Sequence, residues 1–422
     1  MADTKKFSAV KGMADVLPPV SSLWQEIEST ARRVFDKYGY HEIRTPIVEP
    51  SELFRRGVGE STSIVEKEMY SFVDQGGDSL SLRPEGTASV VRAYIESGAC
   101  ISDPIARYYY MGPMFRRERP QKGRQRQFYQ IGCEILGVES PVADAETIAM
   151  TSHFLGEVGA RDVALEINSI GCADCRPSFN EALVVFLTAR AAHLCEDCTR
   201  RLSRNPSRVF DCKQENCRKI LKDAPKISDH WCEACRGHFS AVKRALDGMS
   251  VPYVENVRIV RGLDYYVRTA FEFTSKALGS QSAVVGGGRY DGLVKSLGGP
   301  EIAGVGFALG IERLVLLLEG AGKKPPFEDI IFFAVLGEAA QAAAIPIVQT
   351  LRRDGVRVEW DYGARSLKAQ MRRASRIGAE TVVILGDDEV AKGTATIRDM
   401  RASTQREVHI KDIPMHFVRT GD

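Results

Sequence analysis

The tetrapeptide Lys323-Lys324-Pro325-Pro326 separates two hydrophobic textures, and each admits a different kind of sheet. Before it, segments 69–74 (MYSFVD), 79–88 (SLSLRPEGTA), 105–118 (IARYYYMGPMFRRE) and 126–136 (RQFYQIGCEIL) read as antiparallel strands joined by polar turns. Further strands read at 163–171, 269–274 and 282–288, helices at 21–38 and 141–158, and a strand entering a helix at 304–320. In 41–50 (HEIRTPIVEP), Pro46 interrupts a strand pattern, which suits an edge or an interface because proline donates no ladder hydrogen bond. After the prolines the order is strand 330–337, helix 338–353, strand 356–360, helix 365–377, strand 380–386. That βαβ alternation calls for a parallel sheet.

A chain of 422 residues is too long for one core and suits roughly 2–3 domains. Lys+Arg number 57 against 55 Asp+Glu, a formal net charge of +2, so a polyanion site has to be a local patch. In the alanine-rich part the longest run without a charged residue is Ala339 to Leu351, 13 residues, short of the roughly 18 that span a bilayer. The N-terminus, MADTKKFSAVKGMADVLPP, carries no apolar signal core. The expectation is a soluble, cytoplasmic protein without a membrane partner.

Eight of the ten cysteines lie between residues 172 and 235, as Cys172-x2-Cys175, Cys195-x2-Cys198, Cys212-x4-Cys217 and Cys232-x2-Cys235. In a reducing compartment such density points to metal rather than disulfides, and Zn²⁺ prefers four tetrahedral thiolates. Eight thiolates suffice for two structural ions. The spacing leaves open which pairs share an ion, and a cluster of reduced cysteines in a small helical insert is the alternative.

Chemistry concentrates in four other segments. Phe115–Phe128 (FRRERPQKGRQRQF) sets six cations, Arg116, Arg117, Arg119, Lys122, Arg124 and Arg126, against the single acid Glu118, around a Pro120/Gly123 loop. A solvated hairpin is the plain reading. Against it, Arg116 and Glu118 are expected on one strand face beside aromatic sequence, where arginine clamps phosphate. Arg261-Gly-Leu-Asp-Tyr265-Tyr266 places a cation and two phenols around a turn, and Gly286-Gly-Gly-Arg289-Tyr290-Asp291 lets backbone approach a ligand. Gly304-x-Gly306-x3-Gly310-x-Glu312-Arg313 imitates a dinucleotide fingerprint without the following βαβ unit, so it is not read as one.

In chain order, KGMADVLP, the Pro46 segment, LRPEGT (82–87), FRRE with RQFYQIGCE, RGLDYY, GGGRYDGL and GFALGIERL resemble the signatures of histidyl-tRNA synthetases, within the class II aminoacyl-tRNA synthetases. The resemblance runs nearly end to end. It implies an α+β catalytic domain with the class II antiparallel sheet (six-stranded in type) flanked by helices, over residues 1–171 and 249–322. A Cys-rich helical insertion (172–248) and a C-terminal α/β anticodon-binding domain (328–422) would complete it. It further implies a homodimer acting on ATP, L-histidine and tRNA(His), with Mg²⁺ accompanying the triphosphate. Roles follow by position. Arg116 and Arg261 would be the catalytic cations, and Glu118, Arg124, Phe128 and Arg313 would join Arg116 around ATP. Glu85, Thr87 and Gln130 would hold the histidine α-amino group. Glu134 and Tyr266 would bond the imidazole, and Tyr265, Tyr290 and Arg261 would shape that pocket. A neutral imidazole offers one N–H and one lone pair, so an acceptor and a phenol make chemical sense.

For tRNA, Gln121 and Arg126 in the hairpin would face the acceptor end. Arg372 and Arg373, with Arg365, Lys368 and Arg376 on a C-terminal helix, would meet the backbone. The rival in the same fold is the histidine-sensing regulatory subunit of ATP phosphoribosyltransferase, which usually lacks the anticodon domain and the arginines. A non-catalytic nucleic-acid-binding or zinc module is the blandest reading.

Overall fold

The computed structural model describes residues 7–417 except 61, 325–329 and 364. Residues 325–329, most of the expected linker, thus lie outside the described residues. The chain forms two compact units, 1–324 and 325–422.

The first unit carries β1 (His41–Glu42), β2 (Val48–Pro50), β3 (Tyr70–Val73), β4 (Ser79–Leu82), β5 (Ala106–Phe115), β6 (Gln127–Leu136), β7 (Ala164–Ser169), β8 (Val254–Glu255), β9 (Val267–Thr274), β10 (Ala283–Arg289) and β11 (Gly304–Gly310). Eight form one sheet in the order β1-β5-β6-β11-β10-β9-β7-β8. The inner six are antiparallel, and only the two-residue edges β1 and β8 pair in parallel. Pro46 of the 41–50 segment does not sit within a strand. It divides the segment, leaving β1 at the edge of this sheet and sending β2 into a separate sheet of order β2-β4-β3.

Helices cover one face of the large sheet. Leu23, Ile27, Val34 and Phe35 of helix Val20–Lys37, Ile148 and Phe154 of Pro141–Glu157, and Ile311 and Leu314 of Ile311–Gly320 meet Ile131, Cys133, Val305, Phe307 and Phe271 of the strands. The cysteine-rich region has a small core of its own, with Phe179, Leu183, Val209 and Leu221. Its last helix, Glu233–Gly248, contributes Phe239, Val242 and Leu246 to the main core.

The second unit contains β12 (Ile331–Leu336), β13 (Val358–Trp360), β14 (Thr381–Gly386), β15 (Thr394–Asp399) and β16 (Gln405–His409), in the order β13-β12-β14-β15-β16. The first three are parallel, as the βαβ alternation demands; β15 and β16 add an antiparallel pair.

One buried charge locks the first unit. Arg289 is fully buried and uses all five N–H donors: Nε to the Asp144 carboxylate (3.1 Å), Nη1 to the Val138 carbonyl (3.1 Å) and Asp291 Oδ1 (3.0 Å), Nη2 to the Ser140 carbonyl (3.2 Å) and again to Asp144. The arginine of the GGGRYD segment therefore ties β10 to the start of helix Pro141–Glu157 instead of facing a ligand. Asp144→Ala would leave Nε without an acceptor and only the part-exposed Asp291 as counter-charge, and we expect a loss of about 3–5 kcal/mol in the denaturant unfolding of this unit. A loss below about 1 kcal/mol would contradict the lock.

Candidate functional site

The strand faces opposite the helices alternate differently. In β11, Val305, Phe307 and Leu309 enter the core, so Gly304, Gly306, Ala308 and Gly310 face the other way. In β6, Ile131, Cys133 and Ile135 enter the core, while Phe128, Gln130, Gly132 and Glu134 face away. The result is a floor of small residues with a few large polar side chains standing on it.

Glycine is required at two of these positions. A Cβ on Gly306, the register partner of Glu134, would lie 1.9 Å from Glu134 Oε2. A Cβ on Gly286 would lie 2.4 Å from an Arg261 nitrogen. The glycine run therefore admits this chain's own arginine.

Glu134 anchors one end of the site and is buried. Its Oε1 accepts from the Thr87 hydroxyl (2.6 Å) and its Oε2 from the Tyr290 hydroxyl (2.5 Å). Burial pushes its carboxyl up to about 8, although both hydroxyls favour the ionised form. Glu85, also buried, accepts from the backbone amides of Thr87 (2.6 Å) and Ala88 (2.8 Å), two first-turn donors of helix Thr87–Glu96, from just before its N-cap Gly86. Burial raises its carboxyl, opposed by those two amides. Gln130 Oε1 is buried without a hydrogen-bond partner among the described residues. Tyr265 packs on Tyr266 (ring centroids 4.6 Å) and on Tyr290 (5.6 Å). Arg261 lies over the Tyr266 ring at 5.1 Å, and its Nη1 pairs with Glu272 Oε1 at 2.6 Å.

A second cluster gathers around Glu118. Arg116 lies over Phe128 (5.1 Å), donates through Nε to the Pro84 carbonyl (2.8 Å) and stands 3.9 Å from Glu118. Arg124 pairs with the same carboxylate, and Arg313 also lies close enough to favour its charge, although burial is the larger influence and raises the carboxyl. Arg313 ties the hairpin to the sheet, donating to the carbonyls of Gly123 (3.2 Å) and Ala283 (2.8 Å). Arg116 and Glu118 do not share a strand face as expected. β5 ends at Phe115, and the Glu118 amide turns back onto the Arg116 carbonyl (2.7 Å).

The remaining sequence candidates stand apart. Gln121 is exposed at the hairpin tip. Arg126 is half-buried at the hairpin base, donating to the carbonyls of Glu118 (3.3 Å) and Lys11 (3.4 Å). In the second unit, Lys368, Arg372 and Arg376 are exposed at four-residue spacing on helix Leu367–Arg376. Arg365 precedes that helix, and Arg373 turns toward Glu359 and Asp361, each at 3.9 Å.

Reading the sequence missed two site residues. Tyr110 is buried with its ring over the positions a Cβ of Gly86 or Gly132 would take, and Glu272 partners Arg261. A signal existed for Glu272, a lone acid between Phe271 and Phe273 in a strand.

The cysteines assemble as Cys172, Cys175, Cys232, Cys235 and as Cys195, Cys198, Cys212, Cys217, each set with its sulfurs within 4.8 Å of one another. Measured separations are 3.6 Å (Cys172–Cys175), 3.9 Å (Cys172–Cys232) and 3.7 Å (Cys195–Cys212), and every cysteine is a free thiol. Tetrahedral zinc at about 2.3 Å from each thiolate sets sulfurs about 3.8 Å apart, so both sets fit the ion.

Comparison with known proteins agrees with this geometry. The family profile "Histidyl-tRNA synthetase" matches residues 12–314, and the profile "Anticodon binding domain" matches 331–419. The histidine–tRNA ligase of Geobacter metallireducens is 51% identical over 403 residues, 95% of this chain and 97% of that protein. That of Nitratidesulfovibrio vulgaris (strain Hildenborough) is 50% identical over 417 residues, 99% of each. The crystal structure of apo S. aureus histidyl-tRNA synthetase superposes with a TM-score of 0.80 at 36% identity, covering 98% of this chain and 100% of that one.

The raised Glu134 carboxyl has a pH consequence. The folded state holds this proton more tightly than the unfolded chain does, so its stabilising effect is complete at low pH. It fades as pH rises from about 4.5 toward 8. Glu134→Gln removes the ionisation. We expect its melting temperature to gain on the wild type's as pH rises from 5.5 to 8; a constant difference would contradict the burial.

Proposed function

The chain belongs to the histidyl-tRNA synthetase family, and from that premise we propose that it is a histidine–tRNA ligase. It activates L-histidine with ATP to histidyl-adenylate and transfers the histidyl group to the 3′ end of tRNA(His), releasing diphosphate and AMP. The observation that carries this reading is the pairing of two sites in one domain: a buried acid among phenols, and arginines around Glu118, one of them stacked on Phe128. The regulatory-subunit alternative is not favoured, since the ligases match over nearly the whole chain and the anticodon-binding profile is present.

Each residue has a task in this proposal. Adenylate formation brings the histidine carboxylate oxygen onto the ATP α-phosphorus while the bond to diphosphate breaks, and two anions approach only where cations stand ready. Arg116 and Arg261 supply that charge, and Arg313 meets the γ-phosphate. Phe128 stacks on adenine, with Glu118 at its edge and Arg124 by the phosphates. The unpartnered Gln130 Oε1 accepts from the α-amino group, joined by Glu85 and Thr87. Glu134 accepts the imidazole N–H, Tyr266 meets the other ring nitrogen, and Tyr265 and Tyr290 enclose the ring. Glu118 and Glu272 pair with Arg124 and Arg261; Mg²⁺ bound to the triphosphate would supply further charge neutralisation there.

The domain assignment is part of the proposal: residues 1–171 and 249–322 as catalytic core, 172–248 as insertion, 328–422 as anticodon-binding domain. A homodimer is supported by the exposed Val48, Phe72 and Val73 of the small sheet, which a second copy would cover. Among the described residues no helix is long and apolar enough to cross a membrane, and the proposed location is the cytoplasm. Gln121 with Arg126, and Arg372 with Arg373, are the proposed tRNA contacts; exposure favours Gln121 and Arg372 within each pair.

Three measurements follow. Arg261→Ala should lower histidine-dependent pyrophosphate exchange by roughly 10²-fold or more while histidine still binds, because one preorganised charge contact is worth about 3–4 kcal/mol. Exchange within about tenfold of wild type would refute that role. Gln121→Ala should lower tRNA charging and sharpen its salt dependence while sparing exchange. If both activities fall together, the hairpin serves ATP or the fold. Metal analysis of freshly reduced protein should find two zinc ions per chain, and Cys232→Ser should leave one, whereas zinc-free wild type would remove the metal reading.

A further inference from the structure

The loop 261–266 carries Arg261, Tyr265 and Tyr266; Leu263 and both tyrosines pack on one side with Tyr290 and Leu293 of the main domain, and the other side faces a gap. A cavity of about 250 Å³ separates it from the cysteine-rich region, with Phe179 and Ile227 on one wall and Ile259 and Leu263 on the other. Polar ties cross or border this gap. Arg208, in the turn Pro206–Asp211, donates from one nitrogen to the Gly262 carbonyl (2.8 Å) and to Asp264 Oδ1 (2.9 Å), and Asn205 reaches the same oxygen at 3.4 Å. Arg176 donates to the Tyr266 carbonyl and, through Nε, to the Ile170 carbonyl (3.3 Å). The opposite side of the loop rests on the main domain: the Asp264 amide donates to the Val58 carbonyl (3.1 Å). Gly59, with φ at +102°, leaves room for the Asp264 carboxylate, which a Cβ would meet at 2.5 Å.

Both arginines are mounted on the cysteine sets. Arg176 directly follows Cys175, and Arg208 lies between Cys198 and Cys212. We propose that Arg208 and Arg176 are positioning residues for adenylate formation: from the insertion they hold loop 261–266 so that Arg261 and the two tyrosines face the reacting groups. The inference rests on the proposed role of Arg261 and adds a dependence of the reaction on the insertion's fold. A long guanidinium reaching two acceptors on one loop fixes that loop's position and rotation together, which a single contact does not. Misplacing a catalytic group by about 1 Å costs up to roughly 10²-fold in rate.

The test uses full-length protein and single-turnover adenylate formation with histidine and ATP. Arg208→Ala should slow the reaction by about 10–100-fold and raise the histidine requirement, with the melting temperature unchanged. In an Arg261→Ala background the same substitution should slow it by less than about threefold, because Arg261, through which the clamp acts on the chemical step, is gone, while the tyrosines it also places show in the histidine requirement. Equal losses in both backgrounds, or a single variant within about twofold of wild type, would overturn the proposal. If Arg208→Ala melts early, Arg208→Lys carries the test; it keeps the charge but its shorter side chain does not place a nitrogen where Nη2 meets both acceptors. It should slow the step severalfold at unchanged melting temperature, and wild-type speed would overturn the proposal. Should Arg261→Ala itself retain full speed, the reaction-centre reading of Arg261 fails. The clamp is then judged on the histidine requirement alone: a rise in Arg208→Ala supports it and no rise overturns it.

Discussion

Everything at the site depends on one face of the central sheet carrying glycines wherever its large polar side chains have to lie. Strand residues alternate between faces, so filling the helix-covered side with Ile131, Phe307 and Phe271 leaves the other side to small or polar residues. Where two strands present glycines opposite bulky polar groups, the carboxyl of Glu134 and the guanidinium of Arg261 occupy the space a Cβ would take. A single methyl at Gly306 or Gly286 would evict one of them. The fold thus makes room for chemistry by omission, and the helical core on the far side supplies the stability that the site cannot.

The charges in the site are arranged for direction rather than strength. A part-buried ion pair such as Arg261–Glu272 recovers little more than its desolvation cost, and its worth lies in fixing where the cation points. Hydrogen bonds act likewise at Glu85, whose two backbone donors hold the carboxylate at the head of helix Thr87–Glu96. Preorganised groups of this kind need no rearrangement when charge shifts between phosphorus and oxygen. Arg289 differs in being saturated by five acceptors, so an arginine beside a glycine run need not be a ligand group.

Much of this was legible in the sequence. Period-2 segments before Lys323 and βαβ alternation after Asp329 announced two sheets of different kind, because periodicity records which face is buried. The signature segments pointed to residues, Glu85, Thr87, Gln130, Glu134, Arg261 and Tyr290 among them, that the fold brings close together. Other features were hidden because they depend on contacts distant in sequence. Nothing in GGGRYD distinguishes an arginine bound for Asp144, 145 residues away, from one bound for a phosphate. The cysteine spacings could not decide their own partners, since the first and last pairs meet across 60 residues while the middle two meet each other. The strands β15 and β16 escaped notice because TATIRD and QREVH are short and largely polar.

The central claim is that a buried acid and its surrounding phenols select an imidazole. Pyrophosphate exchange by the wild-type protein, run with each amino acid in turn, tests it most directly. The account expects exchange with histidine to exceed that with phenylalanine by about 10⁴-fold or more, since an apolar ring leaves Glu134 and Tyr266 without their partners. Comparable exchange with phenylalanine would contradict it.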